Sequence, residues 1–167
     1  HFSRLDLTPE PVITRFADLL SRLQQRLQKE GAALVPVIVP SKASIVPDKV
    51  SERWMTDVPT PRPADVEHAN VMAAMRAKGI SFVDGRAMLA ERTEPRTHVF
   101  GRGARHWSYF SSCLVTQEIL HTYERLTGKV APIIDCDYDA KTDVHILHED
   151  YDLVRLLNVW NPPMDRS

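Results

Sequence analysis

The chain has 167 residues, 43% of them apolar and 26% charged, and a net charge of −1. That length and apolar share suit one domain with a sizeable core. The even charge balance argues against a disordered chain and against a globally basic nucleic-acid binder. No apolar run approaches the ~18 residues that would suggest a membrane span. The chain begins at His1 and its first methionine is Met55. A natural start is therefore expected upstream, with any signal peptide or membrane anchor already removed. Two cysteines, Cys113 and Cys136, exclude a disulfide-rich scaffold; they could pair in an oxidising compartment or be two buried thiols.

Thr8 followed by Pro9 reads as an N-cap with proline at the first helical position. Val12, Ile13, Phe16, Leu19, Leu20, Leu23 and Leu27 then recur at three- and four-residue steps, with Arg15, Arg22, Gln25, Arg26 and Lys29 between them. This predicts an amphipathic helix over 9–30, one stripe dry and the other wet, closed by Gly31. Residues 34–39 are apolar on both faces, as a strand covered on both sides should be, although Pro36 is awkward in a central strand. From 40 to 63 the chain carries Pro40, Pro47, Pro59, Pro61 and Pro63 without periodicity, which reads as a long surface loop.

A second helix–strand unit follows. Val66, Ala69, Val71, Met72, Met75 and Ala77 make a helix closed by Gly79, and 80–84 makes a short strand ending on Asp84. A brief helix at 85–90 leads into an arginine-rich loop, 91–107. Ser108 can cap a third long helix bearing Leu114, Val115, Ile119, Leu120, Tyr123 and Leu126 and ended by Gly128. Strand-like pieces at 130–134 and 144–147 flank an acidic loop. A last short helix holds Leu153, Leu156, Leu157, Val159 and Trp160. Helix–strand alternation with dry strands predicts an α/β fold, a three-layer α/β/α sandwich with a mainly parallel sheet. At least three parallel strands are expected.

In open α/β sheets, active groups gather beyond the carboxyl ends of the strands. Two such ends are legible: Pro40-Ser41-Lys42, and Asp84. A third candidate is the loop Phe100-Gly101-Arg102-Gly103-Ala104-Arg105-His106-Trp107-Ser108, whose histidine stands just ahead of a helix, placed for proton transfer. On spacing alone a His-Trp pair is more often a surface or packing feature, and Ser41 more often a solvated loop serine. Asp135, Asp137 and Asp139 alternate like the start of a calcium loop. Ala140 stands where the loop needs glycine and Ile146 where it needs glutamate, which excludes an EF-hand. His145 and His148, three apart on a strand, point to opposite faces and make a poor zinc pair. No metal or other cofactor is expected. Arg96, Arg102 and Arg105 fall in 95–117, which has no acid, whereas 135–152 has seven acids against Lys141 alone. This polarity could orient an anionic polymer beside His106.

The block from Arg102 to Ser108, running into a helix, resembles the His-Trp block of the alginate O-acetyltransferase family. That family has an SGNH-hydrolase-like domain in which the catalytic Asp and His precede the serine. Val37-Ile38-Val39-Pro40-Ser41-Lys42 is similar to the family's strand ending in Pro-x-Lys, and Gly79 to Asp84 resembles its next strand. Asp152 to Trp160 resembles the segment just upstream of the serine block, so the likeness spans nearly the whole chain. It implies a single, incomplete SGNH-like domain over 1–167, cut off before its nucleophile. No serine here sits in a Gly-Asp-Ser setting.

Residue by residue, the resemblance implies that His106 is the catalytic histidine. The aspartate common two residues earlier is Ala104 here; some relatives carry glycine at that place. Lys42, Arg102, Arg105 and Trp107 are then expected to bind substrate. The implied chemistry is acyl transfer. A serine attacks an acetyl donor, His106 takes its proton, and acetyl passes to a sugar hydroxyl. Implied partners are an anionic or neutral polysaccharide and an acetyl donor, either a protein or a small acetyl ester. The implied location is the periplasm, free or membrane-anchored. The alternative is a non-catalytic polysaccharide-binding module of the same fold, its triad degraded at Ala104.

Overall fold

The structure, a computed structural model of the chain, describes residues 7–49, 62–92, 99–101 and 106–136. Its elements are α1 (Glu10–Lys29), β1 (Val37–Ile38), α2 (Lys42–Ile45), a 3₁₀ turn (Pro47–Lys49), α3 (Pro63–Ala77), β2 (Val83–Asp84), α4 (Gly85–Ala90) and α5 (Tyr109–Thr127). They fall into two compact units. One holds α1, α3 and the chain from Thr122 to Val130; the other holds β1, α2, β2, α4, the start of α5 and the chain from Ala131.

In the first unit, Glu10 lies in the first turn of α1 and Arg26 and Lys29 in the last, each placed to complement the helix dipole. The expected cap is corrected: Pro9 is the N-cap and offers no side-chain bond. The Thr8 hydroxyl instead donates to Glu67 Oε1 on α3. The helix buries Ile13, Ala17 and Gln24. Its expected single dry stripe is corrected too, because Val12, Phe16, Leu19 and Leu23 are exposed. The apolar arc is wider than the surface this unit covers. α3 buries Met72 and Met75, and Lys78 just beyond it pairs with Asp18 at 2.7 Å. Gly79 ends α3 at φ 64°, in the left-handed region where a Cβ is penalised.

Gln24 explains why the strands are short. Its amide nitrogen donates to the carbonyls of Leu34 and Ser81, both at 2.8 Å, and its oxygen accepts from Ser81 N–H at 3.0 Å. The side chain is buried, so its hydrogen-bonding capacity is met by backbone, as burial requires. The amide serves both chains where a ladder would otherwise join them. Pro36, lacking an N–H, removes one more donor. The expected strands 34–39 and 80–84 therefore contract to Val37–Ile38 and Val83–Asp84.

In the second unit these two strands pair in parallel, Val37 opposite Val83 and Ile38 opposite Asp84. The expected loop 40–63 holds structure in its described part. Ser41 and Ser44 form a reciprocal capping box on α2, and Ile45 and Val46 are buried. α4 starts on the Asp84 cap. As expected, Ser108 caps α5, its Oγ accepting from Ser111 N–H at 3.1 Å.

No strand forms at 130–134, against expectation. Pro132 cannot donate to a ladder, Ile133 is 98% exposed, and Gln117 Nε2 donates to the Ile134 carbonyl at 2.7 Å. Cys113 and Cys136 form a disulfide with Cα atoms 5.7 Å apart, so the open question of pairing is answered. The piece at 144–147 and the short helix at 153–160 lie outside the described residues. Among the described residues, the sheet is thus a two-stranded parallel one with helices around it. No described helix is long and apolar enough to cross a membrane.

Candidate active site

Both strands of the second unit run out at one end of the parallel pair, where chemistry collects in such sheets. Beyond β1 come Val39, Pro40 and the cap Ser41, and Lys42 opens α2. Ser41 Oγ accepts from Ser44 N–H at 3.2 Å, so this hydroxyl has a capping task. At the end of β2, Asp84 caps α4, its Oδ1 accepting from Ala87 N–H at 3.0 Å.

Gly85 follows at once, and here the absence of a side chain matters. A Cβ on it would lie 3.0 Å from the Ile38 carbonyl oxygen, 3.4 Å from a Val115 methyl and 3.7 Å from Cζ3 of Trp107. The bare backbone lets β1, β2, α5 and the Trp107 ring meet at one point. In the sequence, the signal of this close backbone approach is the Asp84-Gly85 pair at a strand end.

The loop carrying His106 is pinned at its base. Ser108 N–H donates to the Val99 carbonyl at 2.9 Å, and the buried Ser111 hydroxyl donates to the same oxygen at 3.3 Å. Val99, Phe100, Ser108 and Ser111 are all buried. One step further into the loop, Lys42 Nζ donates to the Gly101 carbonyl at 2.5 Å. Arg92 lies over the Phe110 ring, 5.8 Å from its centroid, within cation–π range.

His106 itself is exposed, at a bend three residues before α5. Two residues on, the Ser108 N–H bond to the Val99 carbonyl fixes where this stretch of chain enters α5. Of the expected site residues, the structure brings Lys42 to the loop of His106 and seats Trp107 against Gly85. Arg96, Arg102 and Arg105 lie outside the described residues. Among the described residues no group of three or more His, Cys, Asp or Glu side chains could hold a metal. Residues 137–152, which carry the acidic loop and His145 and His148, also lie outside them.

A parallel strand pair with helices, a histidine loop at its carboxyl end and a capped helix behind it define an α/β protein. The chain matches the family model described as the SGNH hydrolase-like domain of acetyltransferase AlgX over residues 3–159. It belongs to that family. No curated protein and no solved structure matches it.

Proposed function

We propose that the chain is the histidine-bearing part of a polysaccharide O-acetyltransferase that works by serine–histidine acyl transfer on a three-layer SGNH-type sandwich. The observation that carries this reading is the placement of His106. It stands on a loop pinned through Val99 and Gly101, at the carboxyl end of the parallel strands, in a chain of an acetyltransferase family.

A serine hydroxyl attacks the acetyl carbonyl while His106 accepts its proton, and the tetrahedral oxyanion collapses with expulsion of the donor's oxygen, which takes that proton back. A sugar hydroxyl then attacks the acyl-serine, His106 drawing off its proton and returning it to the departing serine. Ala104 stands where a carboxylate would set the histidine's tautomer, so another acceptor has that task. Arg102 and Arg105 suit an anionic polymer, and Trp107 suits the apolar face of a sugar ring. A disulfide between Cys113 and Cys136 fits an oxidising compartment such as the periplasm.

The test is acetyl-ester hydrolysis by a protein carrying this chain together with a Gly-x-Ser block. Turnover supports the acyl-transfer reading. Polysaccharide binding without turnover supports a binding module whose triad is degraded at Ala104.

A further inference from the structure

Gly85 differs from the glycines that end helices. Gly31, Gly79 and Gly128 take positive φ, with nothing within 4 Å of where a Cβ would stand. Gly85 opens α4 with its φ outside the left-handed region, so its backbone asks for no glycine, and glycine is a poor helix former. What the position asks for is space. A Cβ would stand 3.0 Å from the Ile38 carbonyl oxygen, tighter than a Cβ normally sits, with the Val115 methyl at 3.4 Å and Cζ3 of Trp107 at 3.7 Å. The branches of a valine would extend about 1.5 Å further, into space that the oxygen, the methyl and the ring edge already bound.

We infer that Gly85 is a positioning residue for the proposed general base: it seats the ring of Trp107, and that seat sets where the neighbouring His106 stands. Cζ3 belongs to the six-membered edge of the indole, the part farthest from the backbone. The half-buried Trp107 therefore turns its far edge inward onto bare backbone at the carboxyl end of β2. An indole hangs on only two rotatable bonds, so holding its far edge holds its Cα, and the Cα of His106 is the next one, about 3.8 Å away. On the other side, Ser108 N–H holds the Val99 carbonyl at 2.9 Å. The role given to His106 rests on the acyl-transfer reading; the seat rests on the contacts at Gly85.

Two measurements test this. In the chain itself, proton–nitrogen spectra of the imidazoles, with the His106 signals identified by their loss in His106→Gln, should show those signals shifted in Gly85→Val and in Trp107→Phe, with circular dichroism unchanged. Gly85→Ala, whose methyl meets the ring at ordinary contact distance, should shift them less, and it carries the test if the valine protein fails to fold. In a protein joining the chain to a Gly-x-Ser block, Gly85→Val should lower kcat on a small acetyl ester about 10²-fold, with KM within a few-fold. Such an ester carries no sugar, so a lost sugar contact at Trp107 does not produce that result. In a Trp107→Phe background the same substitution should cost less than about threefold, the non-additivity of two residues acting as one. Unmoved His106 signals in a folded Gly85→Val protein, or an equal loss of kcat in both backgrounds, overturn the proposal. Shifted His106 signals without turnover in the joined wild type support the seat and sink the acyl-transfer reading.

Discussion

Lys42 Nζ and the Gly101 carbonyl meet at 2.5 Å although 59 residues separate them. The lysine opens the helix that follows β1, and the carbonyl lies five positions before His106. This bond is charge-assisted and partly buried, so it is of the stronger kind. It ties the loop of the proposed general base to the carboxyl end of the sheet. The side chain expected from sequence to bind substrate therefore holds this loop in the structure.

Replacing Lys42 with methionine keeps the apolar stem and removes the donor. In a protein with acetyl-ester turnover, kcat should fall by about 10²-fold through misplacement of the histidine loop, with KM within a few-fold of wild type. Lys42→Arg should restore part of the loss. A raised KM with unchanged kcat would instead make Lys42 a substrate ligand without a positioning role.

Gln24 offers a test of the fold's polar joint. Gln24→Leu leaves Leu34 and Ser81 without the three bonds that the amide supplies. Orphaned buried backbone groups cost about 1–3 kcal/mol each, so urea unfolding should show a loss of at least about 2 kcal/mol. A midpoint within error of wild type would mean that water takes over these groups and that the amide is dispensable.

The disulfide joins positions 23 apart in sequence. In the chain-entropy account a loop of that size is worth about 3 kcal/mol. The Cys113→Ser, Cys136→Ser protein should therefore lose about 3 kcal/mol of unfolding free energy, read from a lower denaturant midpoint, while wild type should show no free thiol under non-reducing conditions. Reactive thiol in the unreduced, denatured wild type would contradict the bridge.

Local signals carried much of this far. The apolar steps of α1, the glycines after α1 and α3, Asp84 ahead of α4 and Ser108 ahead of α5 each specify an element or an end through neighbours in sequence. The parallel pairing of Val37 with Val83 follows from two dry runs with a helix between them. What stayed hidden depends on partners far away. Gln24 looks like one more wet-face residue until Leu34 and Ser81 are seen around it, and it is what shortens both strands. Val130 to Ile134 has strand composition, yet it forms no strand in the structure. The exposure of Phe16 and Leu19 could not be read from periodicity, which reports an apolar arc and not what covers it. At the site, the position of His106 before a capped helix was legible, whereas the bond from Lys42 to the Gly101 carbonyl and the close approach at Gly85 were not.

The central claim rests on His106, and the most direct measurement is the turnover of a small acetyl ester by a protein that joins this chain to a Gly-x-Ser block, with and without His106→Ala. The substitution should lower kcat by about 10²–10⁴-fold, the usual worth of a positioned general base. The circular dichroism spectrum and melting temperature should not change, because the side chain is exposed and fills no core. Ala104→Asp in the protein that keeps His106 should leave turnover within a few-fold, because another acceptor already orients the ring; a large rise would mean that the ring lacks one. A His106→Ala protein that turns over acetyl ester at the wild-type rate would contradict the account.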